Sequence, residues 1–207
     1  SPFARAVMLT LEEKRLPWRV RPVAPNTLKS EPHLSRQPFG RMPAVEHGDF
    51  KLYETQAVMR YIDRLVPTPA LTPVDPRAEA RMNQLIGIND WYFFPQVAAG
   101  MVFGRVIAPK LGFPVDEERI AASVPLGRTC VGEIARLLGD HPYLAGDSLS
   151  LADLVLAPQL CFLPEFAEGQ ALLAPHANLR GWIARMEARP SMQATTWDRV
   201  AELARAA

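Results

Sequence analysis

The sequence predicts an α/β domain followed by an all-helical domain. Within residues 44–53, two short runs of apolar and polar residues flank the turn signal His47-Gly48-Asp49, which is typical of a β-hairpin. Helical periodicity stands on both sides of this hairpin, and only helical patterns follow later in the chain. Residues 67–76 contain four prolines, which indicates a stiff, extended linker. We therefore expect domains at 1–66 and 77–207.

The overall composition excludes several classes of partner. The chain has 207 residues, with 23 basic and 22 acidic side chains and a net charge of +1. It therefore has no overall positive electrostatic field that would favour binding of nucleic acid or of an anionic membrane. Its two cysteines are too few for a disulfide scaffold, and no metal site is predicted. No apolar run approaches the roughly 18 residues of a membrane span, and no signal peptide precedes Ser1, so a cytoplasmic location is expected.

The first third of the chain divides into a helix, a strand and a loop. Val7, Met8, Leu11 and Leu16 share one face, which predicts an amphipathic helix over 1–16 that ends before Pro17. Glu12, Glu13 and Lys14 are expected to point to solvent. Alternation over 18–23 predicts a strand, and the prolines and glycine of 24–41 predict a loop with a possible helical turn at 33–36.

The hairpin leads into a helix whose first residues are chemically suited to bind a ligand. Apolar residues recur at helical spacing between Ala57 and Leu65, with Thr55 as the expected cap and Pro67 as the stop. Unpaired N–H groups at a helix start bind anions, and the carboxylate of Glu54 beside them could hold an ammonium, so the pair could bind an α-amino-acid end. The alternative is that both residues only cap the helix.

The second domain is predicted from five helical patterns. Residues 77–110 suit two helices broken near Pro95 or Gly100, and 116–138 suit one helix bent by Pro125. Ser150 and Asp153 form a capping box at the head of an apolar segment. A further helix ends at Pro190, and the tail over 195–207 is weakly helical.

The run PFGRMPAVEHGDFKLYETQAVMRYI resembles the glutathione-binding core of the cytosolic glutathione transferases, especially the plant phi type. The resemblance extends from Ser1 to about Trp197, with specific motifs in the first third. It implies a thioredoxin-like fold for the α/β domain, a homodimer, glutathione as cosubstrate and a cis Met42–Pro43 peptide. In that family a strand precedes the serine, so we expect further residues before Ser1.

The resemblance also assigns roles to residues of this chain. Ser1 would donate a hydrogen bond to the glutathione sulfur, although by itself it is equally suited to cap the first helix. Met42 and Pro43 would meet the cysteinyl backbone, Glu54 and Thr55 the γ-glutamyl end, and Lys29 and Arg41 the glycyl end. Thr55 replaces the family's usual serine, and Leu28 stands where the pattern often has histidine. Phe3, Trp91, Tyr92 and Phe94 are the residues expected to line the electrophile pocket.

The function implied is detoxifying transfer of glutathione to small apolar electrophiles. A serine at position 1 and the lack of a CxxC motif argue against a disulfide reductase. Isomerase, dehalogenase and peroxidase activities stay open because each uses the same bound thiolate. From a different class, the protein could be a non-catalytic module that binds glutathione or apolar ligands.

Overall fold

Residues 1–206 are described by a computed structural model of the chain. Ala207, the last residue of the predicted helical domain, lies outside the described residues. The chain forms two compact units. Unit 1 contains Ser1–Ala70 and the segment from Ala188 onward, and unit 2 contains Leu71–Glu187. The domain limits at 1–66 and 77–207 stay predictions.

Unit 1 contains two helices that pack on each other, with a hairpin between them in sequence. Helix α1 (Pro2–Glu13) starts after Ser1, with proline at its first position, where the missing N–H removes no intrahelical bond. It buries the side chains of Ala6, Val7, Leu9 and Thr10. The strands β1 (Ala44–His47) and β2 (Phe50–Tyr53) follow, and then α2 (Thr55–Leu65), which packs on α1. The predicted helices, hairpin and loop are confirmed.

The hairpin has a single register. Strands β1 and β2 are antiparallel, with Ala44 opposite Tyr53 and His47 opposite Phe50. Gly48 adopts φ 62° in the turn, a conformation that glycine reaches without steric cost. The strand predicted over 18–23 is wrong, since no segment of residues 1–206 pairs with it and alternation alone cannot satisfy its backbone groups. Instead, Trp18 Nε1 donates to Glu12 Oε1 at 2.7 Å.

Unit 2 opens with a continuous helical segment in which the backbone hydrogen bonds change from the α to the π pattern. Helix α3 (Pro76–Ile88) passes directly into a π-helix (Asn89–Ile107), and the short α4 (Ala108–Lys110) follows. The predicted break near Pro95 or Gly100 is therefore wrong. Pro95 lies inside the π-helix. Gly100 allows the π-helix to approach the following helix, Glu117–Leu138, because a Cβ at position 100 would lie 2.4 Å from Ser123 Oγ.

The centre of unit 2 is formed by α5 and α6. Helix α5 (Glu117–Leu138) contains Pro125 without interruption, and α6 (Leu151–Leu160) is buried along its whole length. The predicted capping box is confirmed at the head of α6. Asp153 accepts hydrogen bonds from Leu144 N, Ser150 N, Ser150 Oγ and Trp182 Nε1, all within 2.9 Å. Burial raises the pKa of Asp153, although these four bonds act to lower it.

Helices α7 (Ala167–Leu173) and α8 (Ala177–Glu187) complete unit 2. Two short helices, α9 (Pro190–Ala194) and α10 (Trp197–Ala206), then return the chain to unit 1. Of the helices within residues 1–206, none has both the length and the apolar character required to cross a bilayer.

An ion pair fixes α9 to α1. Arg189 donates to both carboxylate oxygens of Glu13 at 2.8 and 2.7 Å, and Ser191 Oγ donates to the same group. Burial acts to raise the pKa of Glu13, but these hydrogen bonds and the charge of Arg189 outweigh it and lower that pKa. The expectation that Glu13 points freely to solvent is therefore wrong.

Candidate functional site

Helices α1 and α2 of unit 1 run in the same direction. The buried Lys14, which follows α1, forms an ion pair with Asp63 and donates to Val66 O at 2.7 Å and to Pro69 O. Its contacts lie at the carboxyl end of α2, so the two packed helices end together. At about 1.5 Å per residue, α1 and α2 are each roughly 16–20 Å long, which places both amino ends at the opposite side. Lys14 was expected to point to solvent, and this prediction is wrong.

Two positive helix ends therefore face the same part of unit 1. In the first turn of each helix, N–H groups lack an intrahelical acceptor. Together they give each helix start about half an elementary positive charge. Ser1 precedes one of these ends, and Glu54 and Thr55 form the other. Such an arrangement attracts anions, including a thiolate and a carboxylate.

Ser1 caps α1 without using its own proton. Its exposed side-chain oxygen accepts a hydrogen bond from Ala4 N at 3.3 Å. A hydroxyl has one donor and two acceptor sites, so the cap leaves the O–H able to donate elsewhere. Capping α1 and stabilising a thiolate are therefore compatible roles for Ser1.

The hairpin register places Met42 and Pro43 beside the start of α2. Ala44 pairs with Tyr53 in the last pair at the open end of the hairpin, and Pro43 and Glu54 are the residues that flank this pair in sequence. The Met42–Pro43 peptide is cis, as the family resemblance implied, and Glu31–Pro32 and Thr68–Pro69 are also cis. Two segments that are separate in sequence thus adjoin at one edge of the hairpin.

Glu54 occupies an unusual backbone conformation at this edge. It is the N-cap of α2, with φ 68° and ψ 111°, and its exposed side chain makes no capping bond. Non-glycine residues in sparsely populated regions cost about 1–3 kcal/mol and concentrate at functional sites. The prediction that Thr55 is the cap is wrong by one residue, since the chain already turns at Glu54. Thr55 is buried, and within residues 1–206 its hydroxyl has no hydrogen-bond partner.

Lys29 and Arg41, the residues predicted to bind the glycyl end, are brought close by a glycine. Gly40 has φ 62°, and a Cβ there would lie 2.9 Å from Leu28 O and 3.1 Å from Lys29 Cγ. The stem of Lys29 thus lies against the loop that contains Arg41. Both side chains are exposed, and neither cation pairs with a carboxylate of residues 1–206.

Two residues that support this loop were missed from the sequence. His33 and Gln37 are both buried and bind the backbone around Arg41. The predicted helical turn at 33–36 is a succession of turns rather than a helix. Histidine and glutamine four residues apart in a proline-rich loop would have been a weak signal for this support.

The four residues predicted to line the electrophile pocket are described in separate units. Phe3 is half-buried in the first turn of α1, in unit 1. Trp91 and Tyr92 lie on the π-helix of unit 2, with 75% and 56% of their surface exposed, and Phe94 is half-buried there. The aromatic side chain of this segment that enters the core is instead Phe93. Their role toward an electrophile stays a prediction.

Neither cysteine belongs to this arrangement. Cys130 and Cys161 are buried, unbridged thiols of unit 2, and burial raises the pKa of Cys130, so it is a poor thiolate. Within residues 1–206, no cluster of three or more His, Cys, Asp and Glu side chains could hold a metal ion.

In comparisons with known proteins, the N-terminal and the C-terminal part of the chain each match a family model. Residues 1–70 match the family model described as Glutathione S-transferase, N-terminal domain, and residues 121–190 match Glutathione S-transferase, C-terminal domain. A glutathione S-transferase from Hyoscyamus muticus is 33% identical over 195 residues, covering 92% of this chain and 91% of that protein.

Solved structures are similar over nearly the full chain. Glutathione S-transferase I bound with lactoylglutathione has a TM-score of 0.82 at 26% identity, covering 98% of this chain and 95% of that one. Glutathione S-transferase I from maize, in complex with an atrazine glutathione conjugate, has a TM-score of 0.81 at 26% identity, covering 99% and 94%.

Proposed function

We propose that this chain, which belongs to the glutathione S-transferase family, binds glutathione in unit 1 and transfers its thiolate to small apolar electrophiles. The observation that carries the proposal is the parallel arrangement of α1 and α2. It directs Ser1 and the Glu54–Thr55 pair toward the same side, next to the Met42–Pro43 peptide. A thiol and an α-amino-acid end, joined in one small peptide, match these two helix starts.

Ser1 would stabilise the reactive thiolate. A thiol of pKa about 8.5 is only about 3% ionised at pH 7. Lowering that pKa by about two units requires about 2.7 kcal/mol of preferential stabilisation of the anion. A hydroxyl that donates to a charged sulfur contributes about 1.5–3 kcal/mol, and the start of α1 adds about 0.3–1 kcal/mol. Together these contributions suffice to make the bound thiol mostly thiolate at neutral pH.

The two ends of glutathione would be held by different groups. The Glu54 carboxylate pairs with the γ-glutamyl ammonium, and the start of α2 with the hydroxyl of Thr55 binds the adjoining carboxylate. Met42 offers its backbone to the cysteinyl residue. Lys29 and Arg41 supply the two cations for the glycyl carboxylate.

Ser1 and Glu54 variants should fail in different ways. Ser1→Ala should raise the pKa of the bound thiol by about one to two units, because about 1.5–3 kcal/mol of thiolate stabilisation is lost. Turnover of an activated aryl halide at pH 7 should fall at least about tenfold while glutathione still binds, and higher pH should partly restore the rate. Glu54→Gln should instead weaken glutathione binding at every pH below the titration of the ammonium.

The measurements are glutathione titration calorimetry and a pH–rate profile for both variants. A Ser1→Ala protein with an unchanged thiol pKa and rate would show that Ser1 only caps α1. Retention on immobilised glutathione without turnover of the aryl halide would favour the alternative of a non-catalytic binding module. Turnover of isomerisable, halogenated or peroxide substrates distinguishes the remaining glutathione-dependent activities.

We further propose a cytoplasmic homodimer that acts in detoxification, on the basis of the family. Two-fold dimers are the commonest oligomers, and unit 1 exposes Phe39 and Phe50 by 67% and 47% of their surface. Sedimentation at micromolar concentration should give twice the chain mass, and Phe39→Glu should shift it toward the monomer. A monomer mass for the unaltered chain would refute the dimer. Cell fractionation tests the location.

A further inference from the structure

The loop that contains Arg41 and Met42 is shaped by side chains rather than by regular structure. Between α1 and β1, the described backbone has neither strand nor α-helix, only a 3-10 turn at Pro25–Thr27 and irregular turns. We infer that His33 and Gln37 are positioning residues that align Arg41 and Lys29 with the glycyl carboxylate of glutathione. This inference rests on the proposed function and adds to it the residues that set recognition of the glycine.

Gln37 closes the turn that leads to Arg41. Only 2% of its surface is exposed, and its Oε1 accepts hydrogen bonds from Phe39 N at 2.8 Å and Arg41 N at 3.1 Å. Its backbone carbonyl accepts from Gly40 N at 3.0 Å. One side-chain oxygen therefore satisfies two backbone donors that have no strand or helix to bind them.

His33 binds the other backbone group of the same residue, Arg41. It is 5% exposed, and its Nε2 lies 2.7 Å from Arg41 O. Because a carbonyl oxygen can only accept, Nε2 carries the hydrogen and donates it. The N–H and C=O of Arg41 are thus both bound by buried side chains, whereas its guanidinium is exposed and has no ion pair within residues 1–206.

Lys29 is placed by the same turn. Gly40 fits closely against Leu28 O and Lys29 Cγ, at 2.9 and 3.1 Å from where a Cβ would stand, so a shift of the turn also shifts the contact with Lys29. Arg41 thus has its backbone held by buried bonds, Lys29 packs its stem against the same turn, and neither side chain is in an ion pair with a carboxylate of residues 1–206. A carboxylate accepts from both in a charge-assisted geometry.

The contacts of His33 and Gln37 are local, which separates positioning from general stabilisation. Their side-chain partners lie two, four and eight residues away, all within the loop. Loss of these bonds should therefore disturb the glycyl end of the site, while Ser1 and the start of α2 keep their own helical supports.

The test compares two ligands, glutathione and γ-glutamylcysteine, which lacks the glycine. Gln37→Met keeps the length of the side chain and removes the acceptor, and His33→Phe keeps a ring and removes the donor. For each variant the Kd of glutathione should rise about fivefold to thirtyfold, whereas the Kd of γ-glutamylcysteine, which meets Met42 beside Arg41 but lacks the glycyl carboxylate, should rise by a clearly smaller factor. With glutathione, KM should rise while kcat is retained.

Rescue and controls complete the design. His33→Gln restores a donor and should recover most of the glutathione affinity. His47→Phe removes a histidine whose Nδ1 bonds to Tyr61 Oη elsewhere in unit 1, and Gln170→Met removes an amide that binds Pro164 O in unit 2. Neither control should change either Kd. In an Arg41→Met background, the effect of His33→Phe should shrink to less than half.

Several outcomes overturn the inference. If the unaltered chain binds both ligands equally, the glycine is not recognised. If the variants weaken both ligands to the same degree, the two residues act on the fold in general, and a matching loss of thermal stability would confirm this. If Gln37→Met does not fold, the two Kd values of His33→Phe alone test the inference. If the unaltered chain binds neither ligand, the proposed function itself is refuted.

Discussion

Replacement of Lys14 by methionine is expected to lower the free energy of unfolding by about 3–5 kcal/mol. The Lys14 side chain has no exposed surface, and its Nζ binds the Asp63 carboxylate and the carbonyls of Val66 and Pro69. Methionine keeps an apolar stem of similar length and removes the charge. Asp63, whose side chain is only 6% exposed, would then retain a buried carboxylate without this ammonium.

The magnitude follows from the burial of the pair. Removal of one partner from a buried ion pair costs about 3–5 kcal/mol, and this already includes the desolvated group that remains. Carbonyls that lose a donor account for part of the same loss rather than an independent sum. For a chain of this length, about 1 kcal/mol corresponds to about 2–4 °C, so Tm should fall by about 6–20 °C.

The assay is urea unfolding followed by circular dichroism, with an exposed ion pair as the control. Arg136 and Glu133 pair at 2.7 Å with 67% and 36% of their side-chain surface exposed, so Arg136→Met should cost less than about 1 kcal/mol. Lys14→Met combined with Asp63→Leu should recover part of the loss, because an apolar pair replaces the buried charge. A Lys14→Met protein within about 0.5 kcal/mol of the unaltered chain would refute the reasoning.

Three further changes test other parts of the fold by the same urea assay. Ser150→Ala removes the buried cap of α6 and should cost about 0.5–2 kcal/mol, with no change in glutathione affinity. Glu13→Gln removes a carboxylate whose pKa is lowered in the folded chain by its hydrogen bonds and ion pair, against the opposing effect of burial. Its stabilisation exists above the unfolded pKa of about 4.3 and is lost as pH falls through the folded pKa, so the variant should cost about 1–3 kcal/mol at pH 7 and little in strong acid. Gly100→Ala places a Cβ 2.4 Å from Ser123 Oγ, so the buried hydroxyl must rotate away from its bond to Arg119 O, and the variant should cost about 1–3 kcal/mol.

Contrary outcomes are distinct for each change. Normal stability of Ser150→Ala would mean that the α6 cap adds nothing beyond the helix itself. An effect of Glu13→Gln that stays constant from neutral to acid pH would exclude its carboxylate as the source. If Gly100→Ala has the stability of the unaltered chain, the close approach of the π-helix and α5 does not restrict residue 100. The same follows if the double variant with Ser123→Ala regains none of the lost free energy of unfolding.

Local patterns predicted the elements whose bonds are themselves local. The hairpin, α2 and the Ser150–Asp153 box were anticipated correctly because turn residues, helical spacing and caps act over a few positions. The strand expected over 18–23 shows the limit, since alternation predicts a strand only when another segment pairs with it. The π-helix shows the same limit, because close packing against α5 is not encoded in the period of its own residues.

The site was predicted less completely because its supports depend on distant or irregular contacts. Lys14 has the charge of a surface residue, and its burial depends on helix ends about 50 residues away. His33 and Gln37 carry no periodic signal, since their partners are backbone groups of an irregular loop. The Met42–Pro43 peptide was anticipated through a family resemblance rather than through a physical preference of the sequence.

The bond between Glu13 and Arg189 joins positions 176 residues apart, so unit 1 is assembled from both ends of the chain. A ribosome that has released α1, the hairpin and α2 has not yet made α9, and unit 1 must wait for the whole of unit 2 to be synthesised before its contacts are complete. Closure over so long a separation is intrinsically slow. Gene fusions and chimaeras that exchange unit 1 between relatives should therefore carry the segment from Ala188 with it, because a cut near Ala70 alone would leave Glu13 buried without its guanidinium.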